Sequence, residues 1–357
     1  YDELAATLPN VSGLDESLLE LQRRDIVREV SRLPKRLFRF KHALLQEAAY
    51  GTVLLKQRTQ LHASLADFLE RIQPERSGDI ADHLVRARLG ARAVPHLVAA
   101  GEQAAASYAL DAAAVRMIAA LEMMDDTTDP GILRRALESL GKTREYLFDF
   151  EGAAEAYSRL RSEGERRDDA GMQISGMNKL GLIRGFFFAE REQALDDLVA
   201  AEELARGSSD GGGLVEACIS QCYLRTGFAE FDEVEHYMAE VARLGEELGE
   251  SEPTLFGMAH LANTLAYLTR FDEALVAAEK CLARAEEEGN LHYQAEMLTF
   301  TIPTCHARNG DIESAAAAVE RGMEIAQQIG DRASEVFAAT FQGKLAMNRG
   351  HLEQALG

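Results

Sequence analysis

Small and apolar residues recur along this chain with a period of about 40 residues. A small residue or a valine returns at spacings of 40, 41, 40, 40, 41 and 40 residues. The residues concerned are Ala113, Ala153, Ala194, Val234, Ala274, Ala315 and Ala355. In most units an aromatic or aliphatic residue stands three positions earlier and a further apolar residue four positions later, although the third unit has Arg191 at the earlier position. This spacing places the residues on one face of a helix and predicts an amphipathic helix in each unit.

Glycines mark the boundaries of these units. Gly207, Gly249, Gly289 and Gly330 fall 40 to 42 residues apart, where the end of a helix can use a left-handed residue. Gly310 and Gly350 fit the turn between two helices of one unit. A repeat of this length with one internal turn is typical of a stacked helical hairpin. We therefore predict about seven hairpins.

The pattern resembles the tetratricopeptide repeat, whose first helix carries a small residue that packs against the second helix. Leu140-Gly141, Leu261-Ala262 and Gly343 occupy that position. The usual period of that repeat is about 34 residues, so longer helices or loops are expected here. Pro303 stands where glycine would and predicts a kink in the first helix of repeat six. The resemblance implies an all-α superhelix of about seven repeats.

A different pattern precedes the repeats. Residues 12–24 form a predicted helix that opens on a capping-box-like arrangement of Ser12 and Asp15. A strand, a basic turn at Pro34 and a second strand follow, in which Phe38 and Phe40 alternate with basic residues. His42 is predicted to fix the start of the next helix. Helix, strand, turn and strand in this order are the tail of a winged helix.

One stretch carries a more specific resemblance. "RLFRFKHALLQEAAYGTVLLKQRTQLHASLADFLE" is similar to the junction between winged helix and repeats in STAND-type signalling ATPases, including those fused to nucleotide cyclases and the large ATP-dependent transcription regulators. The similarity rests on residues 38–42, 46–50 and 61–62. It implies a nucleotide-binding domain before Tyr1 and output domains elsewhere in the polypeptide, so that the chain is a fragment.

The expected organisation is a partial winged-helix segment (1–50), a helical connector (51–91) and a tetratricopeptide-like solenoid (92–357) whose last repeat is truncated. The apolar residues of the helix after Phe40 are expected to pack on the helix of residues 12–24 and on the first repeat, because a lone hairpin and helix bury too little. We expect this coupling segment, with Phe38, Phe40, His42 and Leu45, to transmit changes between the solenoid and the nucleotide-binding domain.

Charge narrows the range of partners. The net charge is −21, and residues 91–357 carry 24 basic against 46 acidic residues. Such a region repels nucleic acid and anionic lipid. No apolar run reaches the roughly 20 residues of a membrane span, and the start of the chain is not a basic leader. Four cysteines in a chain of this length indicate reduced thiols in a cytoplasmic protein.

Motifs that suggest chemistry have simpler interpretations. Gly141-Lys142-Thr143 resembles the end of a phosphate-binding loop, but it lies in a predicted helix with no preceding glycine-rich turn. Cys218 and Cys222 are one helical turn apart without the second pair that a zinc site needs, so they are predicted core residues. Residues 206–213 are predicted to form a flexible connection, and Asp129 with Pro130 a helix start. We expect no catalytic residues, no cofactor and no metal.

A peptide or protein partner is the expected ligand, because stacked hairpins present their first helices along one wall. The tetratricopeptide register places six candidate contact residues there: Tyr223, Asn263, Tyr267, Phe300, Thr304 and Arg308. The basic residues of the familiar carboxylate-clamping groove do not line up. The main hypothesis is a non-enzymatic sensor and scaffold coupled to an upstream ATPase domain. Alternatives are a DNA reader that uses the basic residues between Arg23 and Lys41, and a hydrolase within the solenoid.

Overall fold

The computed structural model describes residues 1–8, 13–33 and 35–348, without the side chains of 345–348. The predicted contributions of Ser12 and Pro34 lie outside the described residues, as does the second helix of repeat seven with Gly350, Leu352 and Ala355. The chain divides into two compact units, residues 1–156 and 157–357. Both consist mainly of helices joined by tight turns, in agreement with the predicted all-α helical-repeat fold.

The first unit combines a small two-stranded sheet with helices. Its elements in chain order are α1 (Asp2–Thr7), α2 (Leu14–Arg23), β1 (Val27–Ser31), β2 (Leu37–Phe40), α3 (Ala43–Thr52), α4 (Leu55–Ile72), α5 (Ser77–Arg86), α6 (Gly90–Ala106), α7 (Leu110–Met123) and α8 (Pro130–Tyr146). Helix α9 (Phe150–Arg167) contains the boundary between the units.

The second unit continues the hairpins. Its helices are α10 (Ala170–Phe187), α11 (Arg191–Ser208), α12 (Gly211–Gly227), α13 (Phe231–Leu248), α14 (Ser251–Tyr267), α15 (Phe271–Glu287), α16 (Leu291–Glu296), α17 (Ile302–Arg308), α18 (Ile312–Ile329) and α19 (Arg332–Asn348). A π-helical turn (Met297–Thr301) joins α16 to α17, so that these three segments form the first helix of repeat six.

The period found in the sequence matches the helices. Each described register residue is the fourth residue of the second helix of its hairpin, as Ala113 is in α7 and Ala274 is in α15. All of them are at most 2% exposed, and they are Ala113, Ala153, Ala194, Val234, Ala274 and Ala315. The residue three positions earlier begins the helix in every case, including Arg191 in the uncertain third unit. The predicted hairpin register is therefore confirmed.

Left-handed residues recur at both turns of the repeat. The turn within a hairpin places such a residue at Tyr108, Phe148, Ala189, Ala229, Thr269 and Gly310. The turn between hairpins does so at Asp168, Ser209, Gly249, Gly289 and Gly330. The prediction for Gly207 was wrong, because this glycine lies within α11 and Ser209 takes the left-handed conformation. Residues 206–213 are likewise not a flexible connection, since only Ser209 and Asp210 separate α11 from α12.

Pro303 changes the first helix of repeat six at the predicted place. The distortion takes the form of the π turn, in which the N–H of Ile302 donates to the carbonyl of Met297. Proline cannot donate a backbone hydrogen bond and its ring crowds the preceding turn. One wider turn before Pro303 relieves this crowding while the helix continues to Arg308.

Some neighbouring helices approach so closely that no side chain fits between them. A Cβ on Gly257 of α14 would lie 2.4 Å from the backbone nitrogen of Ala242 in α13. A Cβ on Gly245 of α13 would lie 2.5 Å from the nitrogen of Thr254 in α14. These two glycines set the distance between α13 and α14.

The N-terminal segment contains the predicted elements. Strands β1 and β2 pair antiparallel, with Val27 opposite Phe40 and Glu29 opposite Phe38. Phe38 and Phe40 are half-buried, whereas Arg39 and Leu37 are exposed, as the alternation predicted. The expected packing of α3 is wrong: every residue of this helix is exposed, including Leu44 at 77%. The apolar residues of α3 outnumber the contacts that β2 and the following helices offer them, so its core-like composition does not lead to burial here.

Candidate partner-binding groove

A row of aromatic rings crosses the first helices of the second unit. Tyr267 of α14 stacks on Phe231, with ring centroids 5.7 Å apart and planes 21° apart. Tyr267 also lies 6.0 Å from Phe300 in the π turn, and Phe300 lies 5.2 Å from Phe337 of α19. Tyr267 and Phe337 remain 57% and 47% exposed. The row is therefore fixed by ring contacts while much of its surface stays accessible.

Tyr223 belongs to a second aromatic cluster. Its ring lies edge-on to Phe256 at 5.9 Å and to His260 at 6.3 Å. Phe256 and His260 are stacked on each other at 3.9 Å. Burial raises the pKa of the Tyr223 phenol, with a further contribution from the Glu296 carboxylate, so the hydroxyl stays a neutral donor. Tyr223 therefore presents an aromatic edge and a hydroxyl at the same wall.

Asn263 links neighbouring first helices. Its Nδ2 donates to Glu296 Oε1 at 2.9 Å, and its Oδ1 accepts a hydrogen bond from the Thr301 hydroxyl. Both ends of the amide are thus engaged within the protein. Asn263 positions the wall, and a partner that bonds this amide must replace Glu296 or Thr301.

A cavity of about 580 Å³ lies between α17, α18 and α19. Three of the predicted contact residues line it: Phe300, Thr304 and Arg308. The Thr304 hydroxyl donates to the carbonyl of Phe300 at 2.6 Å, so it is satisfied within its helix. The Arg308 guanidinium lies 5.9 Å from the centre of the Phe271 ring. The remaining lining residues are Thr299, Ala307, Ile312, Val336, Phe337, Thr340, Phe341 and Lys344.

Sequence reasoning missed the α19 side of this cavity. Candidates were placed by the 40-residue period, but contacts between first helices join residues 33 or 37 positions apart. Tyr267 with Phe300 and Phe300 with Phe337 are examples. Neighbouring helices are staggered by one or two turns, which shortens the period by about four or seven residues. Adding 37 to Phe300 and Thr304 would have found Phe337 and Phe341.

Other candidate motifs are structural. Gly141-Lys142-Thr143 lies within α8, and the Thr143 hydroxyl donates to the carbonyl of Ser139 at 2.7 Å. The Asp129 carboxylate caps α8 at the N–H of Ile132, as predicted. Cys218 and Cys222 are buried free thiols, and burial raises the pKa of Cys218 to about 12. Within the described ranges, no three metal-ligating side chains form a cation site.

The basic residues of the N-terminal segment are partly neutralised. Arg36 pairs with Asp15 at 2.6 Å and with Glu29 at 3.1 Å, and Lys41 pairs with Asp25. These ion pairs reduce the positive potential that a DNA reader needs. The sheet therefore presents a mixed surface.

The coupling segment meets α4 through Tyr50. The Tyr50 hydroxyl lies 3.0 Å from His62 Nε2, and the Arg58 guanidinium lies 4.9 Å from the Tyr50 ring. Leu45 is 38% exposed, and His42 occupies the N-cap position of α3 without a side-chain hydrogen bond. The predicted residues thus share one region, where Phe38 and Phe40 are half-buried and α3 is open.

Comparison with known proteins shows the fold. The structure is similar to the apo form of RapI at 12% identity and a TM-score of 0.56, covering 74% of this chain and 93% of that one. It is similar to a Rap protein complexed with competence and sporulation factor at 14% identity and a TM-score of 0.50, covering 87% and 92%. It also matches a STAND protein with a tetratricopeptide repeat sensor from Pyrococcus horikoshii at 12% identity and a TM-score of 0.54, covering 99% and 58%.

These likenesses identify a tetratricopeptide-like helical-repeat fold. No family model matches the sequence, and no curated protein matches it. No helix among the described residues is long and apolar enough to cross a membrane.

Proposed function

We propose that this chain is a non-enzymatic regulatory scaffold that binds a protein or peptide along the first helices of its second unit. The observation that carries the proposal is the row of rings from Tyr267 through Phe300 to Phe337. Partly exposed aromatic residues held rigidly in a groove are the kind that dominate binding energy at interfaces. A cavity of about 580 Å³ beside the row can accept side chains of a partner.

The proposal includes coupling to an upstream nucleotide-binding domain. Its support is the resemblance of residues 38–62 to the corresponding junction of STAND proteins, together with a STAND protein among the structural neighbours. The exposed helix α3 offers apolar side chains, such as Leu44 and Leu54, for such a domain to cover. Binding in the groove then changes the state of the nucleotide-binding domain by favouring one arrangement of the junction.

A quantitative binding assay with an identified partner tests the groove. Phe300→Ala should weaken binding, whereas Tyr146→Ala, which removes a similarly exposed ring from α8 in the first unit, should not. If the two variants bind equally well in folded form, the aromatic row is not the binding surface. If binding is retained but nucleotide turnover of the full-length parent is unchanged by the partner, the scaffold role stands without coupling.

A further inference from the structure

The cavity between α17 and α19 has two chemically different ends. Successive first helices run in the same direction because each hairpin reverses the chain twice. Phe300 and Phe337 are in contact at one end. Arg308 and Lys344 lie eight and seven residues further along these helices, which is about 10 to 12 Å at 1.5 Å per residue. One end of the cavity is therefore aromatic and the other carries two cations.

The charge of this cavity differs from that of the protein. The net charge is −21, yet none of the described residues that line the cavity is acidic. Elsewhere in the second unit, arginines such as Arg184 and Arg270 are held by carboxylates. Arg308 and Lys344 are exposed, and neither forms an ion pair with a described side chain. Two uncompensated cations beside an apolar cavity favour an anionic group on the ligand.

We propose that this cavity binds an extended peptide segment with an apolar or aromatic side chain and an acidic side chain three to four residues apart. The apolar side chain contacts Phe300 and Phe337, and the carboxylate lies between Arg308 and Lys344. An extended chain covers about 3.3 to 3.6 Å per residue, so three to four residues span the 10 to 12 Å between the two ends. The inference rests on the proposed partner-binding function and specifies the ligand.

The net negative charge of the chain limits the ligand further. Charges more than about 8 to 10 Å apart are largely screened at physiological ionic strength, so a single carboxylate responds to the two nearby cations. A ligand with many negative charges extends beyond them and meets the acidic surface. One carboxylate beside an apolar anchor is therefore favoured over polyanions such as nucleic acid.

The test uses acetylated, amidated octapeptides with one Phe and one Glu, separated by two or three residues in a Gly/Ser background. Both orders of the two residues are titrated against the 357-residue chain. Replacing Glu by Gln in the peptide should weaken binding about threefold, as for a partly exposed ion pair. Replacing Phe by Ser should weaken it more. Equal affinity for the Glu, Gln and Lys peptides, or no measurable binding of the Glu peptide, would overturn the proposal.

Variants of the protein complete the test. In Arg308→Gln/Lys344→Gln, the Glu and Gln peptides should bind equally. The matched control is Arg159→Gln/Lys280→Gln, which removes two exposed cations of the same unit that also form no ion pair with a described residue. This control should retain the preference for Glu. If a free-acid peptide without Glu binds and the amidated Glu peptide does not, a chain terminus is recognised and the proposal is wrong.

Further outcomes separate this inference from the proposed function. If an identified partner is lost on Phe300→Ala but retained by Arg308→Gln/Lys344→Gln, the groove binds and the acidic specificity fails. If neither variant affects the partner, both fail. If the chain is a dimer that Phe337→Ala converts to a monomer, a second copy occupies the cavity and the peptide proposal is overturned.

Discussion

His62 and His83 place their Nδ1 atoms 2.9 Å apart, with the rings stacked at 5.1 Å. One proton can lie between the two nitrogens, whereas two would bring N–H groups face to face. Burial lowers the pKa of both imidazoles, and the cations Arg86 and Arg58 add to this effect at His62. For His83, Arg86 lowers the pKa while Asp79, Asp82 and Glu3 oppose it.

The histidine pair predicts a loss of stability in mild acid. An ordinary histidine has a pKa of about 6.5, so the unfolded chain binds protons as the pH falls through this value while the folded pair resists them. Stability is therefore complete well above pH 6.5 and decreases below it, until the folded pair also protonates. Thermal midpoints measured between pH 8 and pH 5 should show this decrease. It should be smaller in His83→Gln than in the control His236→Gln, and an equal decrease in both would contradict the prediction.

The close approach of α13 and α14 predicts a severe effect of one methyl group. Gly257→Ala should reduce the free energy of unfolding by about 1 to 3 kcal/mol, because its Cβ would lie 2.4 Å from the Ala242 nitrogen. Gly207→Ala is the control: no atom lies within 4 Å of its added Cβ, and it is helical. This control should gain about 0.5 to 1 kcal/mol. Urea denaturation of both variants measures the difference, and similar values would show that the helices can separate.

The aromatic row predicts which substitutions weaken partner binding. Tyr267→Ala and Asn263→Ala should each reduce the affinity for an identified partner by about 1 to 2 kcal/mol. The reasons differ: Tyr267 offers an exposed ring, whereas Asn263 holds Glu296 and Thr301 in place. Calorimetric titration with a parallel unfolding experiment separates them, because Asn263→Ala should also lower stability. Unchanged affinity in the folded double variant would exclude this wall.

The coupling segment predicts a separation of binding from response. In the full-length parent, Phe40→Ala should reduce partner-dependent nucleotide turnover more than partner binding, because Phe40 lies in the junction and outside the groove. Arg39→Ala is the matched control on the exposed face of the same strand. Both quantities are measured on the same preparations. A parallel loss of binding and turnover, or normal turnover, would make the segment a spacer.

Nucleotide binding is not expected of this chain. Lys142 lies in α8 with its ammonium 6.0 Å from the centre of the Tyr146 ring, so no loop of backbone amides surrounds it. Titration with labelled ATP and magnesium should give no saturable binding, and Lys142→Ala should change nothing. Saturable binding that disappears in this variant would contradict the prediction.

The hairpin register could be predicted because it depends on local chemistry that repeats. A small residue such as Ala274 must lie against the first helix of its hairpin, and Phe271 begins the helix three residues earlier. These requirements recur in every unit and therefore appear as a period. The Asp129-Pro130 helix start is local in the same way.

Features that depend on neighbouring helices were less accessible. The stagger that brings Phe337 to Phe300 follows from how whole helices pack, and no residue of the turn encodes it. Ser209 takes a left-handed conformation usually associated with glycine because the two helices around it fix the turn. Helix α3 has the composition of a buried helix, although its residues are exposed. Sequence pattern reports what a helix can bury, and its neighbours decide whether it does.

The recurring left-handed turns make the repeat interchangeable. Ala229 and Thr269 occupy the same turn in consecutive hairpins, with φ values of 59° and 61°. A segment cut between them begins and ends in one backbone conformation, so recombination can remove or duplicate it without altering either turn. The number of hairpins can thus change one unit at a time in evolution. Each such event lengthens or shortens the wall available to a ligand by one helix.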